Sequence, residues 1–236
     1  YLLKPIDMSE QRELLIDTIK ERSCLKRNVY EKTTAQFTVL KDVLKKFADE
    51  LFEKVHKFDA RLEVKFEEIS AFECRLTMAG DTLIFYMHSN VFQFDHGHHV
   101  WNTSYVKEDD GRAYCGTIHI YNFLADSFRQ KRKNDLGYMI ARVFINKDDH
   151  YLVEGRRQLG YLYNDFVNEV LDRKAWRKVL ESALLYSLDF DLLVPPYDQV
   201  NTTSVQEIES LTDHSDIRTG KRFGFQFSAT GQDTIE

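Results

Sequence analysis

Apolar and charged residues alternate along residues 61–67, where Leu62, Val64 and Phe66 are separated by arginine, glutamate and lysine side chains. Successive side chains of a β-strand face opposite sides, so this pattern predicts a strand with one buried and one solvated face. Residues 72–78 repeat the pattern. The alternation therefore predicts a sheet that is covered on one side.

The next segments extend this sheet. Residues 82–87 are apolar on both faces, which predicts a central strand. Residues 100–107 and 112–123 flank Asp109-Asp110-Gly111, a sequence that favours a hairpin turn because Asp-Gly accepts positive φ. Residues 137–146 and 151–154 suggest a second hairpin. Consecutive hairpins favour antiparallel pairing, since parallel strands need long crossovers.

Helical periodicity precedes and follows the strands. Asp7 or Ser9 can cap a first helix, and Thr33 with Gln36 fits a capping box for a second. The second helix carries an apolar stripe, which predicts packing on the core or on a partner subunit. The stripe consists of Leu40, Leu44, Phe47, Leu51, Val55 and Phe58.

Two more stripes, Leu159 to Val170 and Trp176 to Leu184, predict helices between residues 156 and 188, with Asp172 as a candidate boundary. Helices segregated to the ends of a strand run are typical of the α+β class. We therefore expect an antiparallel, curved sheet of six to eight strands packed by flanking helices.

The expected division is an N-terminal helical segment over residues 1–60 and an α+β domain over residues 61–236. The second part comprises the strand block 61–155, the helices at 156–188 and a C-terminal extension with a last strand near 222–228. An undivided single domain is the alternative.

Composition narrows the class of protein. The formal charge is −6 over 236 residues, which argues against a general nucleic-acid binder. The three cysteines are widely spaced, and neither a membrane-length apolar stretch nor a signal peptide is visible. These features favour a cytoplasmic protein without a membrane partner. The one dense basic run, Arg129 to Lys133, suggests a solvated loop or a docking site for an acidic partner.

A candidate ligand-binding face lies on the segment 112–123. Thr117, His119 and Tyr121 share one side of this strand, and the expected hairpin places Asn102 opposite His119. Polar and aromatic side chains on one face can line a small-molecule pocket. A solvated sheet face is the alternative.

A candidate metal site is the cluster Asp95, His96, His98 and His99. Imidazoles and a carboxylate suit zinc, iron or copper, and a bound divalent metal could activate water for hydrolysis. A polar loop between two strands explains the same residues.

Phosphate-binding glycine loops and the familiar hydrolase motifs are missing from the sequence, which favours a non-enzymatic protein. The leading hypothesis is a regulatory or small-molecule-binding module that acts as a homodimer. The alternatives are a metal-dependent hydrolase centred on residues 95–99 and an adaptor that docks a partner protein.

The segment Tyr1-Leu-Leu-Lys4-Pro5-Ile6-Asp7 resembles the end of a response-regulator receiver domain, where a Lys-Pro pair closes the last strand before the last helix. The resemblance covers seven residues. It implies a preceding receiver domain and an output role for the present chain, and it assigns no functional residue here.

Overall fold

One nearly continuous helical run leads into the fold. The computed structural model describes residues 8–189, 192, 194, 196–206 and 208. The run consists of α1 (Met8–Thr18), a π-helical turn (Ile19–Ser23) and α2 (Cys24–Phe58). Neither glycine nor proline occurs within it to interrupt the backbone hydrogen bonds. No helix in the described ranges is apolar enough over a sufficient length to cross a membrane.

The predicted helix start at Thr33 is wrong. Thr33 is fully buried inside α2, and its hydroxyl donates to the carbonyl of Val29 at 2.8 Å. It therefore serves helix packing and not capping. The resemblance at residues 1–7 and the expected strand at 222–228 lie outside the described residues.

In the part of the chain that the structure describes, one antiparallel sheet of seven strands follows, so the predicted α+β class is confirmed. The strand order is β1-β2-β3-β5-β6-β7, and the short β4 pairs with the beginning of β5. The strands are β1 (Val64–Glu68), β2 (Glu73–Met78), β3 (Asp81–Met87), β4 (Phe92–Gln93), β5 (Tyr114–Leu124), β6 (Tyr138–Asn146) and β7 (Tyr151–Gly155).

The main core lies between one face of this sheet and the helices α2 and α5 (Arg173–Leu188). Leu40 and Leu44 of α2 and Trp176 of α5 are fully buried with Leu83 and Phe85 of β3. The apolar stripe of α2 therefore packs on the core of its own chain over its first half. Toward the helix end, Phe58 is exposed.

The predicted strand at 100–107 and its hairpin with 112–123 are wrong. The chain instead forms a 3-10 helix (His99–Asn102), α3 (Ser104–Glu108) and a second 3-10 helix (Asp110–Ala113). Side-chain caps decide this: the Thr103 hydroxyl accepts from the Val106 amide, and an Asp109 carboxylate oxygen accepts from the Gly111 amide. Such local bonds compete with strand pairing.

The predicted helix spanning Leu159 to Val170 is also wrong. A 3-10 helix (Arg157–Gly160) and turns occupy this stretch, and Asp165 and Asn168 close one turn through side-chain hydrogen bonds. Asp172 is the boundary, since its carboxylate accepts from the Ala175 amide at 2.7 Å and caps α5. A further short helix is α6 (Tyr197–Val200).

Candidate functional site

The sheet face opposite α2 and α5 carries a row of polar side chains across five strands. Antiparallel register places Glu73 beside Tyr86, Tyr86 beside His119, and His119 beside Arg142; Arg142 in turn lies beside Glu154. Side chains directly opposite each other on adjacent strands are close enough to interact. The register therefore assembles ionisable groups from distant parts of the sequence.

Aromatic rings surround His119 in the middle of this row. The ring centroid of His119 lies 6.3 Å from that of Tyr86, 6.1 Å from that of His88 and 5.9 Å from that of Tyr121. The Tyr121 hydroxyl and His119 Nδ1 are 3.2 Å apart, within hydrogen-bonding distance. We call this region the histidine face; it consists of Tyr86, His88, Phe92, His119, Tyr121 and Arg142.

Both ends of the same sheet face are covered by other parts of the chain. At the Cys115 end, a second apolar cluster packs residues from 94–113 and Phe166 on Phe144. At the other end, Phe128 of α4 (Ala125–Arg129) packs edge-on against Phe123, with ring centroids 5.5 Å apart. The histidine face lies between these covers, where Tyr86 is 38% exposed and Phe92 is 43% exposed.

The electrostatics favour a neutral imidazole at His119. Partial burial, with the nearby His88 and Arg142, lowers the pKa of His119. Arg142 is itself held by Glu154 through a hydrogen bond of 2.6 Å between Nε and Oε2. At neutral pH the face therefore offers two uncharged groups that can donate and accept hydrogen bonds, the imidazole of His119 and the hydroxyl of Tyr121. They lie beside the ion pair of Arg142 and Glu154.

The three strand residues that the sequence singled out do share this face. Thr117 is nearly buried beside Phe144, and its hydroxyl has no hydrogen-bonding partner among the described residues. His119 and Tyr121 are half-buried and contact each other. Asn102, in contrast, lies exposed in a 3-10 helix, so its predicted place opposite His119 is wrong.

The side chains of the candidate metal cluster at residues 95–99 contact different neighbours and do not converge on one point. An Asp95 carboxylate oxygen accepts from the Gly97 amide, the His96 ring packs on Trp101, and His98 Nε2 lies 3.7 Å from Glu154 Oε1. The rings of His98 and His99 are 4.3 Å apart. Within the described part of the chain, no three histidine, cysteine or carboxylate side chains are placed to hold a metal ion.

Cys115 is the cysteine of β5 and lies on the same side of the strand as His119. It is only 1% exposed, and burial strongly raises the pKa of its thiol. Four residues of strand separate it from His119, which corresponds to about 13 Å. A buried, protonated thiol at that distance does not form a nucleophile–base pair with His119.

Sequence reasoning missed Tyr86 and Arg142 as members of the site. Tyr86 lies on β3 and Arg142 on β6, and the sequence predicted both strands. Their proximity to His119, however, depends on the pairing of β3 and β6 with β5, which the sequence did not specify. The chain runs through residues 88–113 between β3 and β5. The available signal was the period of two, which assigns Tyr86 to the same face as Ile84 and His88 without specifying a partner strand.

Two histidines with lowered pKa values, His119 on the histidine face and His98 outside it, should make stability depend on pH. Burial lowers the pKa of His119, and burial together with His99 lowers that of His98 against the opposing effect of Glu154. Between those lowered values and about 6.5, the unfolded chain binds more protons than the native chain, so a fall in pH favours unfolding. We expect the free energy of unfolding to decrease as the pH falls below about 6.5.

Urea denaturation at pH 7.5 and pH 5.5 measures this effect. His119→Gln should lose less stability between the two pH values than the unmodified chain does, because one proton-linked group has been removed. An equal or larger loss in the variant would contradict the assignment.

Comparison with protein-family models, with curated proteins and with solved structures finds no significant match to this chain.

Proposed function

We propose that the chain is a non-enzymatic small-molecule-binding module with a regulatory role, and that its ligand is a small, planar, polar molecule held on the histidine face. The observation that carries the proposal is the ring cluster of Tyr86, His88 and Tyr121 around His119. These rings are partly exposed while both ends of the sheet face are covered. Half-exposed aromatic surface with a few polar groups is typical of small-molecule sites.

The donors and acceptors on this face define the ligand's chemistry. A neutral imidazole offers one donor and one acceptor, and the hydroxyls of Tyr86 and Tyr121 can do both. The aromatic rings favour a flat partner that stacks on them. A heteroaromatic compound with ring nitrogens or an amide group satisfies both requirements.

A regulatory role is supported by the contact between this strand and the long helix. Gly116, adjacent to Thr117, lies against Thr33 of α2 on the opposite sheet face. A ligand that shifts β5 would therefore press directly on a helix that runs back, through the π-helical turn, to Met8. This coupling is part of the proposal.

Nuclear magnetic resonance of histidine-labelled protein tests the proposal with nicotinamide, adenine and indole as probes. We expect at least one probe to shift the ring signals of His88 and His119 in a saturable way. Tyr86→Ala should weaken that binding about two- to tenfold, because one stacking surface of about 0.5–1.5 kcal/mol is lost.

His56→Gln, on α2, is the matched control and should bind as the unmodified chain does. If none of the three probes moves a histidine signal at millimolar concentration, the histidine face does not bind planar ligands. Unchanged affinity in Tyr86→Ala would likewise contradict the assignment.

A further inference from the structure

A cavity lies at the α4 end of the same sheet face, under the basic loop at residues 131–133. Its volume is about 340 Å³, a size typical of small-molecule sites. Ile84, Phe123 and Phe128 form an apolar floor, and Lys131 and Lys133 lie at the rim. Gly137 gives the floor its shape, because a Cβ there would lie 2.1 Å from the Phe123 ring.

Of the basic residues around this cavity, the two arginines are paired with carboxylates and the two lysines are not, within the described ranges of the chain. Arg129 is held by Glu63 and Asp126, and Arg132 lies 3.1 Å from the buried carboxylate of Asp135. Neither Lys131 nor Lys133 forms an ion pair with a carboxylate of residues 8–189. Among the described residues, Lys131 and Lys133 therefore stand above an apolar floor without a paired carboxylate.

Lys131 is an unusual residue for the backbone conformation that it adopts. Its φ of 54° lies in the left-handed region, and it follows the C-cap of α4. The Arg132 amide donates to the Ser127 carbonyl and the Lys131 amide to the Phe128 carbonyl, which is the Schellman arrangement. Glycine is the usual residue at this position, so Lys131 adopts its left-handed conformation at a cost in steric strain.

From these observations we infer that the cavity binds a small organic anion, with its apolar part on Ile84, Phe123 and Phe128 and its acidic group held by Lys131 and Lys133. The site is separate from the histidine face and extends the proposed function to a second ligand class. A medium-chain carboxylate or an aryl sulfonate has the required combination of an apolar body and one negative end.

Anilinonaphthalene sulfonate is a suitable probe because its fluorescence rises in apolar surroundings. We expect the unmodified chain to bind it, and octanoate to displace it more effectively than octanol of the same chain length. In the double variant Lys131→Gly/Lys133→Gln, affinity for the probe should fall about tenfold, since two charged contacts are removed.

The glycine at position 131 also separates binding from folding. It relieves the left-handed strain, so the double variant should remain folded while it loses the probe. The matched control is Lys45→Gln/Lys46→Gln, which removes the same charge from exposed positions of α2 and should bind normally. Ile84→Trp, which fills the cavity floor, should abolish binding.

Three results would overturn the inference. These are no binding by the unmodified chain, unchanged binding in the Lys131/Lys133 double variant, and unchanged binding in Ile84→Trp. His88→Ala should retain the probe; loss of the probe in that variant would place the anion on the histidine face instead.

Discussion

The Trp176→Ala variant is expected to unfold with a free energy about 3–5 kcal/mol below that of the unmodified chain. Trp176 is completely buried between α5, α2 and the sheet, and is among the largest fully buried side chains of the described residues. Its removal leaves a cavity that the rigid helix–sheet packing cannot close. The indole Nε1 also donates to Gln36 Oε1 at 3.1 Å, so this acceptor loses its partner.

The hydrogen bond and the packing contribute separately, and two variants distinguish them. Trp176→Phe keeps most of the buried surface and loses the bond to Gln36, so its cost should be about 1–3 kcal/mol. Leu185→Ala, at a position 67% exposed on the same helix, should change stability by no more than about 0.5 kcal/mol.

Urea denaturation followed by circular dichroism measures all three variants. The midpoint should move while the slope stays constant, as expected when the compactness of the two states is unchanged. A loss below about 1 kcal/mol in Trp176→Ala would mean that α5 is not anchored to the sheet in this way.

The contact between Trp176 and Gln36 illustrates what the sequence could and could not predict. The apolar spacing around both residues predicted two helices with core-facing stripes. Their mutual packing joins residues 140 positions apart. Pattern reasoning has no access to such a contact, because periodicity defines a face and not its partner.

The strands also include some that the sequence predicted correctly and one that it did not. Alternation at 72–78 and the apolar run at 82–87 predicted β2 and β3 correctly, since each strand faces the core on one side. Residues 100–107 were predicted as a strand because they precede the Asp109-Asp110-Gly111 turn signal, but the Thr103 cap makes that stretch helical. Here the local hydrogen bonds of the caps prevail over the predicted hairpin.

For the candidate site, the period of two correctly placed Thr117, His119 and Tyr121 on one face. Tyr86 and Arg142 join them only through the pairing of β5 with β3 and β6. The wrong hairpin at Asp109-Asp110-Gly111 put Asn102 on one side of His119, whereas the structure places Tyr86 of β3 on one side and Arg142 of β6 on the other. This error of topology gave His119 one wrong neighbour, and the sequence specified no residue for the other side.

The Gly116→Ala variant tests how firmly β5 is held against α2. A Cβ at this position would lie 2.0 Å from the hydroxyl oxygen of Thr33 and 2.7 Å from its Cβ. Because Thr33 is buried in the middle of a long helix, the clash can be relieved only by moving helix or strand. We expect a loss of about 2–3 kcal/mol in the free energy of unfolding.

Thr33→Gly provides the compensating change. It removes the obstructing side chain at a cost of about 0.3–0.5 kcal/mol in helix propensity, in addition to its lost packing. If the two residues are in contact as described, the double variant should be more stable than the sum of the single losses predicts, by about 1–3 kcal/mol. Strict additivity would contradict the contact.

The same pair tests whether the histidine face is coupled to the helix. If β5 yields in Gly116→Ala, the strand shifts beneath Thr117 and His119, so we expect the ring signals of His119 to move even without ligand and Thr33→Gly to restore them. His56, on the far half of α2, serves as the internal reference. A destabilised Gly116→Ala variant with unchanged His119 signals would mean that α2 yields while β5 stays in place, and a ligand on the outer face would then have no direct route to the helix.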